Sequence, residues 1–178
     1  MLQQEFAQFY KDNIDKAFRF IYLRVDSLET AQDLTSLVFL KFYEFLKDKN
    51  KEKKIKDKKA FLYRMVRNLL TDFYRNKEKM TLSLNKLLEE KGLDFPLSFD
   101  IQNKIETNWE MERIKKSLNE INPLYKEVII FHYINDLSIK EIASILGKTE
   151  NNTRVLLHRA LESLKTQINM DKNTDKHR

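Results

Sequence analysis

The chain has 178 residues and a formal net charge of +6, with 33 Lys and Arg against 27 Asp and Glu. It contains two Gly, two Pro and no Cys, which excludes disulfides and thiolate metal sites and leaves few residues for tight β-turns. Charged residues interrupt the chain from Glu5 onward and no run approaches the roughly 18 to 20 apolar residues of a membrane helix, so we expect a helical, cytoplasmic protein without a signal peptide.

Three amphipathic helices are predicted in the first half of the chain. In the first, over 6–25, apolar residues recur at spacings of three and four. The second covers about 29–46, and the third begins near residue 57 and continues to Phe73. Because each helix has one apolar stripe, the three stripes can bury one another in a small bundle.

A lysine-rich segment, residues 47–59, lies between the second and third predicted helices. It holds eight Lys against Asp48, Glu52 and Asp57, a local net charge of +5. Such a run suits phosphate binding through counterion release. A solvated loop is the alternative interpretation.

The helical pattern breaks over residues 79–106, where Gly92 and Pro96 follow a short leucine-rich stretch. We predict an irregular linker there, between a first domain over 1–78 and a second over 107–169. The linker has too many apolar residues for a solvated tether. They either pack on a domain or meet a partner, and both alternatives stay open.

The second half of the chain is predicted to be helical again. A helix from about Thr107 presents Met111, Ile114 and Leu118 at helical spacing. Pro123 suits the first turn of the next helix, where its missing N–H costs little.

A helix-turn-helix pattern follows. Ser138 and Glu141, three residues apart, form an S-x-x-E capping box that opens a short helix. Gly147 is predicted to end this helix, and Thr149 to cap a last helix over about 150–168. A short capped helix, a tight turn and a longer helix are typical of a helix-turn-helix, with a plain helical hairpin as the alternative.

The last predicted helix has an apolar stripe and a second, mainly polar face near its N-terminal end. That face comprises Asn151, Arg154, Val155, His158 and Arg159. The N-terminal end of a recognition helix enters the major groove, where Arg pairs with guanine and Val meets a thymine methyl. We therefore predict that this face reads duplex DNA.

The fold class that follows is all-α, with two small helical domains joined by the linker. The first is a three- to four-helix N-terminal bundle, and the second is a C-terminal helix-turn-helix domain. Residues 170–178 are predicted to form a flexible tail.

No catalytic constellation is recognised in the sequence. The chain has no Cys and no Gly-rich phosphate loop, and His132, His158 and His177 lack the spacing of metal ligands. We expect no enzymatic activity, no cofactor and no metal. A purely structural helical scaffold would not require the cationic face of the last helix.

Residues 117–165 resemble the C-terminal domain of the bacterial sigma-70 family of RNA polymerase sigma factors, especially the compact extracytoplasmic-function type. The family pattern has a Leu-x-x-Leu-Pro opening, a Leu-Ser-x-x-Glu-Ile-Ala core and a Leu-His-Arg-Ala ending. The matching residues here are Leu118, Ile121 and Pro123 for the opening, Leu137, Ser138, Glu141, Ile142 and Ala143 for the core, and Leu157, His158, Arg159 and Ala160 for the ending.

The first half resembles the same family independently. Residues 31–46, AQDLTSLVFLKFYEFL, are similar to the helix that grips the clamp helices of the largest polymerase subunit. Residues 60–75, AFLYRMVRNLLTDFYR, are similar to the helix that melts and captures the promoter −10 element. The resemblance covers about 120 of the 178 residues.

The resemblance implies an alternative sigma factor that binds core RNA polymerase and promoter DNA, with separate residues for each contact. The residues implied for the −35 element are Arg154, Val155, His158 and Arg159, with Asn151 beside them. Those implied for the −10 strand are Tyr63, Arg64, Arg67 and Asn68, with Lys53 and Lys54 of the preceding loop. Those implied for polymerase are Asp33, Leu34 and Phe39. Stacking on aromatic rings, and base reading by an amide, fit the chemistry of an opened strand. Ordinary packing on the helix surface is the alternative for Tyr63 and Asn68, and a core position is the alternative for Phe39.

Further partners implied by the resemblance are the polymerase flap and an anti-sigma factor, since anti-sigma control is common among similar proteins. His132 stands where relatives often carry a phosphate-binding Arg, and a partly buried structural histidine is the alternative. A helix-turn-helix regulator without polymerase contact is the competing function. It leaves the two motifs of the first half unexplained.

Overall fold

A computed structural model describes residues 2–75 and 109–175 of the chain. Within these ranges every regular element is a helix, and no strand occurs. The chain divides into two compact units, Met1–Phe99 and Asp100–Arg178, which are described separately. The predicted linker, 79–106, lies outside the described residues.

The first unit is built on three long helices, α1 (Leu2–Tyr22), α2 (Leu28–Lys47) and α4 (Lys58–Arg75), with a short helix α3 (Lys49–Glu52) between the last two. Helix α2 packs against both α1 and α4, and α1 also contacts α4. The apolar stripes therefore bury one another, as the sequence predicts. The largest fully buried side chains of this unit include Phe18, Phe20, Leu23, Leu34, Phe39, Phe42, Leu62 and Tyr63.

Side-chain caps fix where the helices around the lysine-rich segment begin. The carboxylate of Asp48, which follows α2, accepts the backbone N–H groups of Asn50 and Lys51 at 3.0 and 3.3 Å. These bonds hold the pKa of Asp48 below its usual value, and the bond from the N–H of Lys51 has the largest effect. Asp57 accepts the N–H of Ala60 at 2.9 Å at the start of α4. The predicted break between the second and third long helices thus contains a short capped helix.

The second unit comprises α5 (Trp109–Asn119), α6 (Pro123–Ile129), α7 (Ile139–Leu146) and α8 (Glu150–Asp175), with a π-helical turn, Ile130–Ile134, continuing α6. Pro123 occupies the first turn of α6, as predicted, and the side chain of Asn122 caps that helix. Helix α8 packs against α5, α6 and α7. The inner face of α8 is therefore the surface against which the other three helices of this unit pack.

The predicted capping box at the start of α7 is confirmed. The N–H of Glu141 donates to Oγ of Ser138, and the N–H of Ser138 donates to Oε2 of Glu141 at 2.8 Å. Gly147 ends α7 in the left-handed region with φ of 64°, which glycine adopts without a steric penalty. Thr149 caps α8 through a 3.2 Å bond from the N–H of Asn152 to its Oγ1.

A π-helical turn ends α6 and leads into the helix-turn-helix. The N–H of Asn135 donates to the carbonyl of Ile130 at 3.0 Å, and that of Leu137 donates to Phe131 at 2.9 Å. Asp136 between them has φ of 53°, a left-handed conformation that Asp tolerates better than most residues. No pattern in the sequence predicts this wider turn.

Helix α8 extends to Asp175, beyond the predicted end near Ile168, so 170–175 of the predicted tail are helical. The physical reason is the absence of a stop signal, because no Gly or Pro follows Gly147 in the sequence.

Candidate nucleic-acid interface

Helix α8 presents one exposed face at its N-terminal end. Its opposite side is buried through Thr153, Leu157 and Ala160, which sets the rotation of the helix. The hydroxyl of Thr153 donates to the carbonyl of Thr149 at 2.9 Å and so needs no other partner in the core. The structure brings all five predicted −35 residues to the exposed face: Asn151, Arg154, Val155, His158 and Arg159.

The connection between α7 and α8 has the dimensions of a helix-turn-helix. Three residues, 147–149, separate the two helices. The N–H of Lys148 donates to the carbonyl of Ala143 at 3.0 Å, which closes the end of α7. The cap by Thr149 starts α8 immediately afterwards, so the exposed face of α8 begins directly at the turn.

Arg154 is held by an acidic neighbour on its own helix. Its Nη2 lies 3.2 Å from Oε2 of Glu150, and the two side chains are 60% and 47% exposed. Exposed pairs of this kind contribute about 0–1 kcal/mol. The guanidinium is therefore oriented but remains accessible to a stronger partner.

A second cationic face lies on α4. Arg64, Asn68, Thr71 and Arg75 are exposed and recur at spacings of three and four, and Arg67 beside them is half-buried. The Nε of Arg64 donates to the carbonyl of Ala60 at 3.3 Å, which leaves its terminal nitrogens for another acceptor. The predicted −10 residues Arg64, Arg67 and Asn68 thus share one side of the helix.

Tyr63 differs from the prediction. Its side chain is 0% exposed, and its ring meets Phe20 edge-on at a centroid distance of 5.9 Å. A ring enclosed by its own domain offers no face to a DNA base, so Tyr63 is a core residue. The exposed aromatic of α4 is Tyr74, at 54% exposure. No sequence motif marks Tyr74, although it lies two helical turns after Arg67.

The three acidic residues of the lysine-rich segment all serve local structure. Asp48 caps α3, Asp57 caps α4, and Glu52 accepts a 2.9 Å bond from Nζ of Lys58. The predicted DNA-binding residues Lys53 and Lys54 are exposed. The local excess of positive charge therefore faces solvent, and the segment that carries it is folded. A plain solvated loop would have no such fixed structure.

The predicted polymerase-binding residues separate into two kinds. Leu34 and Phe39 are both 0% exposed, and the ring of Phe39 meets that of Tyr10 edge-on at 4.9 Å. These two are therefore core residues and not surface contacts, because α2 packs between two other helices. Asp33 is half-buried, and its pKa is raised, mainly by this burial and secondly by the charge of Glu29.

His132 lies on the π-helical turn and is half-buried. Its Nδ1 is 2.9 Å from the carbonyl oxygen of Leu137, so this nitrogen is the donor. The bond ties the end of α6 to the residue that precedes the Ser138 cap. This contact supports the structural alternative for His132.

Membrane spans and metal clusters do not occur among the described residues. None of these helices is both long enough and apolar enough to span a bilayer. In the same part of the chain, no three His, Asp or Glu side chains are grouped as a metal site requires.

Family comparisons match both halves of the chain. A model of sigma-70 region 2 matches residues 9–80, and a model of sigma-70 region 4 matches residues 111–164. The first includes the lysine-rich segment and the exposed face of α4. The second includes the capping box and the exposed face of α8.

Curated relatives are similar over most of the chain. RNA polymerase sigma factor YlaC of Bacillus subtilis is 26% identical over 99% of this chain and 96% of its own length. ECF RNA polymerase sigma factor SigM of the same organism is 24% identical over 98% of this chain and 100% of its own. ECF RNA polymerase sigma factor BldN of Streptomyces coelicolor is 24% identical over 89% of this chain, which spans 58% of BldN.

Solved structures share the fold. CnrH, in complex with the cytosolic domain of CnrY, matches with a TM-score of 0.64 and 19% identity, over 95% of this chain and 90% of CnrH. RpoE of Bartonella quintana, in complex with the anti-sigma factor NepR, matches with a TM-score of 0.60 and 20% identity, over 94% of this chain and 99% of RpoE.

Proposed function

Because the chain belongs to the sigma-70 family, as a factor of the extracytoplasmic-function type, we propose that it binds core RNA polymerase and directs initiation at specific promoters. The observation that carries this proposal is the presence of two sigma regions in family order, each with an exposed cationic helix face. A regulator that binds DNA without polymerase is not favoured, because it would need only the second region.

The −35 contact is assigned to the exposed N-terminal face of α8. Arg154 and Arg159 supply donors for guanine edges or phosphates, and Val155, at 43% exposure, supplies an apolar contact for a thymine methyl. Asn151 can pair with adenine in the same groove. The tight turn before α8 supports this assignment, since it places these residues at the start of the helix.

The −10 contact is assigned to the exposed face of α4 and the lysine-rich segment before it. Arg64, Arg67, Lys53 and Lys54 suit the backbone of an opened strand, and the amide of Asn68 suits the edge of an unpaired base. Tyr63 is removed from this set because it is buried.

The polymerase contact is assigned to the exposed part of α2, with Asp33 as its acidic group and the clamp helices of the largest subunit as its partner. Leu34 and Phe39 support the helix from inside. Region 4 is expected to meet the polymerase flap. With these partners the protein acts in the cytoplasm, and its role is binding and not catalysis.

An anti-sigma factor is a further proposed partner. The similar protein RpoE was solved in complex with the anti-sigma factor NepR, and CnrH with the cytosolic domain of CnrY. We propose comparable control of this chain.

The test of the function is transcription with purified core RNA polymerase, with and without this protein, on a library of promoter fragments from the source genome. We expect defined transcript starts that depend on the protein. Duplex binding without core binding or directed initiation would instead establish the regulator.

A further inference from the structure

The first turn of α8 carries an acidic residue beside the proposed −35 residues. Glu150 is the first residue of α8, and its side chain is 47% exposed. Its Oε2 accepts a 3.2 Å bond from Nη2 of Arg154, one turn further along the helix. Within the described part of the chain, this guanidinium is the one hydrogen-bond or ion-pair partner of the Glu150 carboxylate. The carboxylate therefore depends on a side chain that the proposed contact directs to DNA.

The proposed contact of Arg154 with guanine draws the guanidinium away from Glu150. A bidentate pair with guanine uses the terminal nitrogens of Arg, and Nη2 is the atom that Glu150 holds. The carboxylate is then left in a groove bordered by phosphates, where an unpaired negative charge is unfavourable. It needs a hydrogen-bond donor from the DNA.

The base edges in the major groove offer few such donors. Guanine and thymine present oxygens that repel a carboxylate, and adenine presents the acceptor N7 beside its amino group. Cytosine presents its amino group without a neighbouring acceptor, which makes it the base that Glu pairs with. The residues at the start of a recognition helix are those that contact base edges, and Glu150 occupies that position in α8.

We infer that Glu150 is a specificity-determining residue, which accepts a hydrogen bond from the amino group of a cytosine in the −35 element when Arg154 pairs with guanine. This inference rests on the proposed function and deepens it. Glu150 precedes Arg154 by four residues, about 6 Å along the helix axis. Base pairs rise about 3.4 Å along the duplex, so the two residues contact base pairs about one or two steps apart.

A role in helix stability alone is the competing explanation for Glu150. An acidic residue in the first turn is favoured by the helix dipole, and an ion pair one turn apart adds to the stability of the helix. Both explanations predict some loss of stability when the carboxylate is removed. A change in the preferred base is expected only from a base contact, so the test measures the preference at each position.

The test uses holoenzyme, that is, core polymerase carrying this protein, on a promoter found by the transcription experiment. Competition binding is measured at equilibrium with duplexes in which each −35 base pair is changed in turn. For the natural protein, we expect a preference for cytosine of about five- to a hundred-fold at one position, about one or two base pairs from the guanine position. Glu150→Ala should lose this preference and still favour guanine at the Arg154 position.

Two further variants complete the design. Glu150→Gln should change the preferred base at the same position from cytosine to adenine, because a Gln amide pairs bidentately with adenine. Glu162→Ala is the matched control, because Glu162 is an exposed acidic residue of the same helix, about three turns further along. This variant should keep the natural preferences.

The outcomes separate the inference from the proposed function. Unchanged preferences at every position in both Glu150 variants overturn the base contact while directed initiation still stands. A change confined to the guanine position would mean that Glu150 acts only through Arg154, and the inference is then wrong. If the natural protein supports neither initiation nor −35 binding, the proposed function fails and the inference fails with it.

Discussion

Arg154 is ion-paired with Glu150 in the free protein, and the proposed −35 contact has to replace that partner. The pair with Glu150 is exposed on both sides and contributes about 0–1 kcal/mol, whereas a bidentate pair with guanine discriminates by about 1–3 kcal/mol. The exchange is therefore favourable where guanine is present. With another base in place, we expect Glu150 to keep the guanidinium, so that the pair sharpens the preference for guanine in the proposed contact.

Arg154→Ala is predicted to weaken −35 duplex binding by about 1–3 kcal/mol and to relax the preference for one base pair. The measurement is a competition assay with duplexes altered at each position of the element. Lys165→Ala, an exposed cation about three turns further along α8, serves as the control and should leave the preference unchanged. Equal weakening on every duplex would make Arg154 a phosphate contact instead.

Asp33 is unfavourably placed in the free protein, because burial and the carboxylate of Glu29 raise its pKa. A raised carboxyl pKa means that the folded state holds the proton more tightly than the unfolded chain. Asp33 therefore destabilises the fold above its folded pKa, and this cost disappears as the pH falls through that pKa. A cation from a partner would remove the same cost at neutral pH.

Asp33→Asn is accordingly predicted to stabilise the free protein at neutral pH, by about 0.2–0.5 kcal/mol, the size of a like-charge pair one turn apart, and to weaken core polymerase binding. Urea unfolding at neutral pH and at about pH 4, near the carboxyl range, measures the first effect, and the difference between variant and natural protein should shrink at the lower pH. Glu29→Gln is the matched control, with a smaller gain in stability. A destabilised Asp33→Asn variant would show that Asp33 has a favourable partner in the fold.

At the scale of elements, α7 depends on its cap more than a long helix would, because it has only eight residues. Oε2 of Glu141 accepts two bonds of 2.8 Å, from the N–H and the hydroxyl of Ser138. The same turn follows the bond between His132 and Leu137, so several polar contacts converge on the start of the helix-turn-helix.

Ser138→Ala is predicted to destabilise the second unit by about 0.5–2 kcal/mol, because the N–H of Glu141 loses its acceptor. Faster amide hydrogen exchange in α7, with little change in α1 or α2, is the expected readout. Weakening of −35 binding should be the same on all sequences, since no base contact is removed. Ser144→Ala is the control, as Ser144 is exposed on the same helix and makes no cap.

The helices that begin and end at local signals were predictable from the sequence. Whether an apolar side chain lies in the core or contacts a partner was not predictable. The capping box, Pro123 and Gly147 act through their nearest neighbours in the chain, so residue type and spacing suffice to predict them. The resemblance assigns Leu34, Phe39 and Tyr63 to contacts, although the helical pattern also places Leu34 in an apolar stripe and a core position is the alternative for Phe39. They are buried because α2 and α4 pack between other elements, and this depends on the whole bundle.

The exposed N-terminal face of α8 was also predictable, because the helical spacing of the apolar residues determines which side of the helix is buried. Helix α8 has one broad buried side, through Leu157 and Ala160, and the predicted residues lie opposite it. The π-helical turn at Ile130–Ile134 had no counterpart in the sequence pattern, because its wider hydrogen bonds depend on tertiary packing of the residues around it.

At the scale of the whole molecule, the net charge of +6 has its largest concentration in the folded lysine-rich segment. Its three acidic residues are engaged in caps and ion pairs, and Lys53 and Lys54 are among the exposed groups that can meet phosphates. Affinity for promoter DNA should then fall steeply with salt as condensed counterions are released.

Substitution of both Lys53 and Lys54 by Gln is predicted to lower the steepness of log affinity against log salt by about 1.4. The reason is that each single-strand phosphate that a lysine neutralises adds about 0.7 to this slope. The measurement is holoenzyme binding to the opened −10 strand over a series of salt concentrations. Lys11→Gln and Lys16→Gln, combined on α1, are the control for a general reduction of charge. An equal decrease of slope in both double variants would mean that only net charge matters.

Gly147 carries a consequence for how this protein can vary between species. A β-carbon placed there would have no heavy atom within 4 Å, so crowding does not require glycine. The remaining constraint is handedness, because φ of 64° is costly for L-residues with a branched side chain and mild for asparagine. Natural variants of this turn should therefore accept asparagine before alanine and alanine before valine. The left-handed backbone conformation, and not the available space, limits which residue can stand at position 147.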